Sequence, residues 1–281
     1  LANLRYIEVG SGDITVVLLH GLFGTPDNWS LMLDRLKGQY RFIAVQMPID
    51  HVPGRGKNDF RDIGQLTDFV LEIFEDLDLD KAIICGNSLG GQVALDFYLK
   101  HPQMVSHLIL TGSAGLFERS LSGGKRPKVC RKMIREQITE IFYDEANVTE
   151  ELIDSVYNML SDRGFSRFLL RIAIATRNLN MEEQLKDVTI PTLIVWGADD
   201  KITPPFVAEQ FHEGIGNSEL KFIERCGHAP PMEQPEEFTR IVGEFLNRVR
   251  EEAELDRQQV DTDTTVGEVA SYPVQEETEL S

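Results

Sequence analysis

The sequence predicts an α/β fold: a mostly parallel sheet flanked by helices, with an all-helical segment inserted between two strands. Three observations predict it. Short apolar runs alternate with helical patterns, as they do where strands and crossover helices build a parallel sheet. The polar residues of chemical interest each follow an apolar run, and open parallel sheets place their sites at the C-terminal ends of strands. One such stretch, Gly86-Asn87-Ser88-Leu89-Gly90-Gly91, lies between a strand pattern and a helix pattern.

The elements follow in chain order. Val16-Val17-Leu18-Leu19 is the first apolar run, and His20-Gly21-Leu22-Phe23-Gly24 turns out of it. Leu66, Phe69, Val70, Ile73, Phe74 and Leu77 keep the i, i+3, i+4, i+7, i+8, i+11 spacing of one helix face. Ala82-Ile83-Ile84-Cys85 is the strand before the G-x-S-x-G turn. Residues 92–100 form the helix after it, stopped at His101-Pro102. His107-Leu108-Ile109-Leu110-Thr111-Gly112 reads as the next strand. From Ala114 to about Lys186 no strand pattern appears, and helical patterns cover residues 129–142, 149–160 and 165–176.

Residues 187–195 resume the sheet, and Trp196-Gly197-Ala198-Asp199-Asp200 follows. Leu220-Lys221-Phe222-Ile223 precedes Cys226-Gly227-His228. Phe238, Ile241, Val242, Phe245, Leu246 and Val249 repeat the helical spacing, so two amphipathic helices are expected to pack on the sheet. After Arg250 the periodicity fades. Residues 251–281 hold ten acids against Arg257 alone, a charge of −9 and half of the chain's −18. That acidic tail is expected to be disordered. The expected organisation is therefore a core of residues 1–113 and 187–250, a helical insertion over 114–186, and the tail.

The G-x-S-x-G stretch carries chemistry in this context. Strand, turn and helix make a nucleophile elbow, where small residues around the serine let two backbone segments approach. The serine then stands at a helix N-terminus, whose amides favour negative charge. A serine hydroxyl is a weak nucleophile and needs a base within hydrogen-bond reach, itself oriented by a third group. Among the six histidines, His228 alone both follows a strand and is preceded by a glycine turn. His51, His101, His107 and His212 read as surface or structurally satisfied residues.

With these motifs on the page, the chain resembles the α/β-hydrolase family over about residues 3 to 250. Val45-Gln46-Met47-Pro48 and Pro53-Gly54-Arg55-Gly56-Lys57-Asn58-Asp59 resemble the family's D-L-P-G-x-G-x-S-D segment. Ile49-Asp50-His51-Val52 splits that segment, and Gln46 and Asn58 replace its usual Asp and Ser, departures that bear on loop shape. The resemblance implies Ser88 as nucleophile and His228 as base, in the order Ser, Asp, His. The acid is Asp199 or Asp200, and the family's W-G-x-x-D spacing falls on Asp200. Some members carry the acid after the preceding strand, but Gly112-Ser113-Ala114-Gly115 offers none before Glu118. The resemblance also implies an oxyanion hole from the backbone N–H groups of Leu22 and Leu89, and a structural role for His20. The helical insertion resembles the family's lid. Phe142 and Phe168 in it either line an acyl site or form the insertion's own core. Phe23 and Trp29 are the alternative specificity residues.

Composition bounds the rest. No apolar run among the 281 residues approaches the roughly 20 that a membrane span needs. No basic-then-apolar leader follows Leu1, so no signal peptide is expected. Cys85, Cys130 and Cys226 are far apart, and free thiols in a reducing, cytoplasmic setting are expected. The acidic surface argues against nucleic acid. No H-E-x-x-H and no paired C-x-x-C is present, so neither metal nor cofactor is expected. Lys125, Arg126, Lys128, Arg131, Lys132 and Arg135 cluster, either as a solvated helix face or as a docking site for an anionic substrate or membrane surface.

The expected function is that of a cofactor-free serine hydrolase cleaving a small-molecule ester with an apolar acyl part, through an acyl-Ser88 intermediate. The alternative is a hydrolase of a C–C bond in ring-fission products, a group that Asn87 before Ser88 resembles. That group usually places Trp directly after the catalytic His, where this chain has Ala229. A non-catalytic binding protein on the same fold is the third reading, although such proteins usually lose one of the three catalytic residues.

Overall fold

A computed structural model describes residues 5–48, 62–117 and 129–267. Its centre is a seven-stranded sheet. The strands are β1 (Tyr6–Val9), β2 (Thr15–Leu19), β3 (Arg41–Val45), β4 (Ala82–Asn87), β5 (Val105–Thr111), β6 (Thr192–Gly197) and β7 (Ser218–Ile223). Their order is β1-β3-β2-β4-β5-β6-β7. β1 pairs antiparallel to β3, and every other pairing is parallel. The central strands are apolar on both faces, as a sheet covered on both sides requires. Val16, Val17, Leu18 and Leu19 are fully buried, as are Ile84, Cys85, Leu108, Ile109 and Leu110. β7, at one edge, instead exposes Lys221 and pairs it with Glu219 at 3.0 Å, charges that blunt an edge strand.

Strand order reverses at β2, which lies between β3 and β4. Ligand sites of open α/β sheets form at such a switch point, beyond the carboxyl ends of the strands. The register aligns those ends: Leu19 faces Gly86, and Asn87 faces Thr111. The turns that follow β2, β4 and β5 therefore leave the sheet side by side.

The helices are α1 (Ser30–Leu36), α2 (Ile63–Asp76), α3 (Leu89–Lys100), α4 (Arg131–Thr139), α5 (Glu150–Ser161), α6 (Arg163–Asn178), α7 (Pro205–Gly214), α8 (Pro230–Glu233) and α9 (Pro235–Gly267). α2 starts at Asp62, whose carboxylate accepts from the Gln65 amide at 3.0 Å. Its apolar stripe buries Leu66, Phe69, Val70, Ile73 and Phe74. Phe74 meets Phe97 of α3 with ring centroids 4.9 Å apart, which binds the elbow helix to its neighbour.

Between β5 and β6 the described residues form only helices and turns. Thr149 and Asp162 cap α5 and α6 through the amides of Leu152 and Phe165, at 3.2 and 2.7 Å. The insertion has its own cluster of Ile134, Ile138, Phe142, Val148, Ile153 and Val156. It is also rooted in the sheet core, because Phe168 and Ile172 of α6 belong to the main cluster. Gln92 of α3 donates to the Thr176 and Leu179 carbonyls at 3.1 and 2.9 Å, satisfying orphan acceptors at the end of α6. β6 begins at Thr192, later than the expected Asp187, because residues 182–187 wind into a 3₁₀ turn.

Of the basic cluster, Lys125, Arg126 and Lys128 lie outside the described residues. Arg131 pairs with Glu150 and Asp154, Arg135 with Glu150, and Lys132 approaches Glu136 at 3.9 Å. Local acids of α4 and α5 thus answer those charges. The segment from Ile49 to Asp59 and residue Glu118 also lie outside the described residues.

Contacts divide the chain into Leu1–Val242 and Gly243–Ser281, rather than at the ends of the insertion. α9 continues to Gly267, past Arg250, where the apolar spacing fades. Glu251, Glu252, Ala253, Glu254 and Leu255 are good helix formers, and Arg250 approaches Glu254 at i+4 spacing, 3.8 Å away. Residues 268–281 of the expected tail lie outside the described residues. Among the described residues no helix is long and apolar enough to cross a membrane.

Candidate active site

Ser88 is the residue between β4 and α3, at φ 55°, ψ −118°. A β-carbon-bearing residue adopts positive φ only where its surroundings enforce it. The enforcement is visible. The Ser88 amide donates to the Thr111 carbonyl at 3.0 Å. The Ser88 carbonyl accepts from Gly91, Gln92 and Ala114 at 2.9, 3.2 and 3.1 Å. Gly90 must be glycine, because a Cβ there would sit 2.1 Å from the Leu19 carbonyl oxygen. The turn therefore presses α3 against β2 and leaves the serine half-buried at the helix N-terminus.

Three side chains from three loops form one hydrogen-bonded chain. Ser88 Oγ lies 2.9 Å from His228 Nε2. His228 Nδ1 lies 2.8 Å from Asp200 Oδ2. Asp200 and His228 are 3% and 7% exposed, so their contact is shielded from water, whereas the contact to Ser88 is shielded in part. Asp200 Oδ1 accepts from the Ile202 and Thr203 amides at 2.8 and 2.9 Å. Of the two acids, only Asp200 reaches the imidazole. Asp199 gives its backbone amide to the Cys226 carbonyl, 2.9 Å away.

Two residues, Thr203 and Asn87, have supporting roles that the sequence alone does not show. Thr203 Oγ1 donates to Asp200 Oδ2 at 2.8 Å and lies 3.2 Å from His228 Nδ1. The buried Trp196 indole holds the Thr203 carbonyl at 2.7 Å, a structural use for the tryptophan of the W-G motif. Asn87 Nδ2 donates to the carbonyls of Thr111 and His228, at 3.0 and 3.3 Å, tying the elbow to the histidine's backbone. An Asp-x-x-Thr spacing is a local signal for the first. The second depends on a contact across 141 residues and leaves no local trace.

The loop after β2 is fixed by His20. Its Nε2 accepts from the Met47 amide at 3.0 Å, so its Nδ1 carries the proton and donates to the Gly21 carbonyl at 2.8 Å. Gly24 closes the turn onto the Gly21 carbonyl at 3.0 Å. Leu22 sits in that turn. Leu89 opens α3, where first-turn amides have no intrahelical partner.

The expected specificity residues separate. Phe23 is 39% exposed. Trp29 is 1% exposed, against Phe238 with centroids 6.1 Å apart, so it packs the interior rather than lining an open wall. Phe142 shares its cluster with Ala229, the neighbour of His228. Phe168 is enclosed in the main core. Cys226 lies in the histidine loop, but burial, followed by the carboxylates of Glu233, Asp200 and Asp199, pushes its thiol up and keeps it neutral. Burial does the same to Cys85 beneath the elbow.

A family model described as "Alpha/beta hydrolase family" matches residues 16–241. A 2-hydroxy-6-oxononadienedioate/2-hydroxy-6-oxononatrienedioate hydrolase of Cupriavidus pinatubonensis is 28% identical over 263 residues, covering 85% of this chain and 89% of the relative. A meta-cleavage product hydrolase from Pseudomonas fluorescens IP01 superimposes with a TM-score of 0.75 at 28% identity, covering 87% of this chain and 94% of that one. A thermophilic esterase from Thermogutta terrifontis does so with a TM-score of 0.68 at 25% identity, covering 87% and 93%.

Proposed function

The chain belongs to the alpha/beta hydrolase family, and from that premise we propose that it is a serine hydrolase that cleaves carboxylic esters through an acyl-Ser88 intermediate. The observation that carries the reading is the unbroken chain from Ser88 Oγ through His228 to Asp200, at 2.9 and 2.8 Å. His228 Nε2 takes the hydroxyl proton as Ser88 Oγ attacks the ester carbonyl. The tetrahedral oxyanion rests on the backbone N–H groups of Leu22 and Leu89, and losing one such donor costs on the order of a hundredfold to a thousandfold in rate. The proton passes from His228 to the leaving alcohol. Water then attacks the acyl-serine, with His228 as base, and releases the acid. Asp200 holds the imidazole with its proton on Nδ1 and stabilises the charged ring. The helical insertion covers the mouth as a lid.

A second reading follows from the relatives: hydrolysis of a C–C bond in a ring-fission product. Asn87 before Ser88 favours it, and Ala229 after His228, where that group usually carries Trp, disfavours it. The same serine and histidine would serve both reactions, so substrate turnover separates them. In a panel of p-nitrophenyl esters from acetate to palmitate, run beside a ring-fission dienoate, the ester reading expects turnover of the esters. Dienoate cleavage without ester turnover would replace it. Ser88→Ala should lower turnover about a millionfold with the melting temperature kept. Retention of more than about a hundredth of the activity would refute the nucleophile.

A further inference from the structure

Four hydrogen bonds hold the segment that carries His228, one within it and three to the helical insertion, and one carboxylate accepts three of the four. Glu233 is the last residue of α8. Its Oε2 accepts from the amide of Gly227, the residue before His228, at 2.5 Å. Its Oε1 accepts from the amides of Tyr143 and Asp144, at 2.6 and 2.8 Å. The fourth bond runs from the His228 amide to the Ile141 carbonyl at 2.7 Å. The two segments touch backbone to backbone, since a Cβ on Gly227 would stand 2.3 Å from the Ile141 oxygen. Ala229 completes the contact by packing among Ile134, Ile138 and Phe142.

This arrangement fixes the backbone on both sides of the imidazole. Amide bonds to a carboxylate are stronger than those to a neutral acceptor. The imidazole must meet Ser88 and Asp200 at once, and a misplacement of about 1 Å costs on the order of a hundredfold in rate. Resting on the serine-hydrolase reading, we propose that Glu233 is a positioning residue that couples the insertion to His228. It touches no reacting atom. Its loss therefore slows activation of Ser88 and leaves substrate binding nearly intact.

The test compares Glu233→Ala and Glu233→Gln with Ile73→Val, a core truncation on α2 that probes stability alone. Melting temperature, the rate of Ser88 labelling by a fluorophosphonate, and kcat and KM on one ester are measured for each. Glu233→Ala should lower both the labelling rate and kcat about 10- to 100-fold, with KM within about threefold of the parent. The Gln side chain keeps one acceptor arm and turns a donor to the other, so Glu233→Gln should fall between parent and Ala. Ile73→Val should label at the parent rate despite a lower melting temperature. Labelling within about twofold of the parent for both Glu233 variants would overturn the proposal, as would a rise in KM alone. A parent that takes no label would refute the serine-hydrolase reading, and the proton resonance of His228 Nδ1 then decides separately. Its loss or broadening in Glu233→Ala supports positioning, and an unchanged resonance overturns it.

Discussion

Asp200 shows how much one residue's surroundings decide. Its Oδ1 is committed to the Ile202 and Thr203 amides, so only Oδ2 is left for His228 and the Thr203 hydroxyl. In Asp200→Asn the amide oxygen must take the place of Oδ1, because two N–H donors point there. The new NH2 group then faces His228 Nδ1 as a donor. The imidazole is driven to the tautomer with its proton on Nε2, where it can no longer accept from Ser88. The expected loss in kcat/KM is on the order of a thousandfold to ten-thousandfold, from tautomer control alone. Asp199→Asn should stay within about tenfold, since that side chain is outside the chain of bonds. Ester kinetics on the two variants check this, and equal losses would remove Asp200 from its role. Ser88, Asp200 and His228 were legible in the sequence because each follows a strand end. The roles of Asn87 and Glu233 were not, because they arise from contacts between segments that share no local pattern, whereas Thr203 has only the short Asp-x-x-Thr spacing to mark it.

Among the elements, the long amphipathic helices were the easiest to read, since a stripe such as Leu66 to Phe74 in α2 has no other explanation. β1 was not read. It is four residues long, half-buried and at a sheet edge, so it lacks the apolar run that marks the central strands. Helix propensity, rather than apolar spacing, carries α9 past Arg250. β5 holds a titrating group, His107. Burial, and then the charge of Lys81, push the His107 imidazole down to about 4. The unfolded chain protonates this group near its ordinary value of about 6.5, so between the two values only the unfolded state binds the proton. Stability is therefore fully present above about 6.5 and falls as the pH drops towards 4, with no further loss from this group below. The gap between the two values corresponds to at most about 3.4 kcal/mol, which solvent screening at this part-exposed ring lowers to about 2 kcal/mol. His107→Gln should flatten that part of the stability curve, which urea unfolding between pH 7 and pH 4 would measure. An unchanged slope would show that His107 titrates alike in both states.

At the scale of the molecule, the sheet brings the chemistry together and the insertion stands apart from it only in part. Turns after β2, β4, β6 and β7 supply Leu22, Ser88, Asp200 and His228, whatever the helices between β5 and β6 contain. Those helices face two ways. α4 and α5 close a separate cluster with Phe142 beside Ala229, whereas α6 sends Phe168 into the main core. Two phenylalanines that look alike in sequence therefore carry different expectations. Phe168 is 1% exposed, and Phe168→Ala opens a cavity there, which should cost about 3–5 kcal/mol of stability. Its chain-length preference should match the parent's under conditions where it stays folded. Phe142 shares its cluster with Ala229 of the histidine loop, and we propose that an acyl chain on Ser88 lies on that side. One methylene in an apolar site changes discrimination by about 1–3 kcal/mol, so Phe142→Ala should shift the ratio of kcat/KM between long and short esters by about tenfold or more. Covalent labelling of Ser88 should persist in both variants, because the reacting groups lie outside the insertion. If Phe142→Ala kept the parent's profile, the cluster around it would be packing alone. The exposed Phe23, on the turn after β2, would then be the residue to vary for the acyl preference.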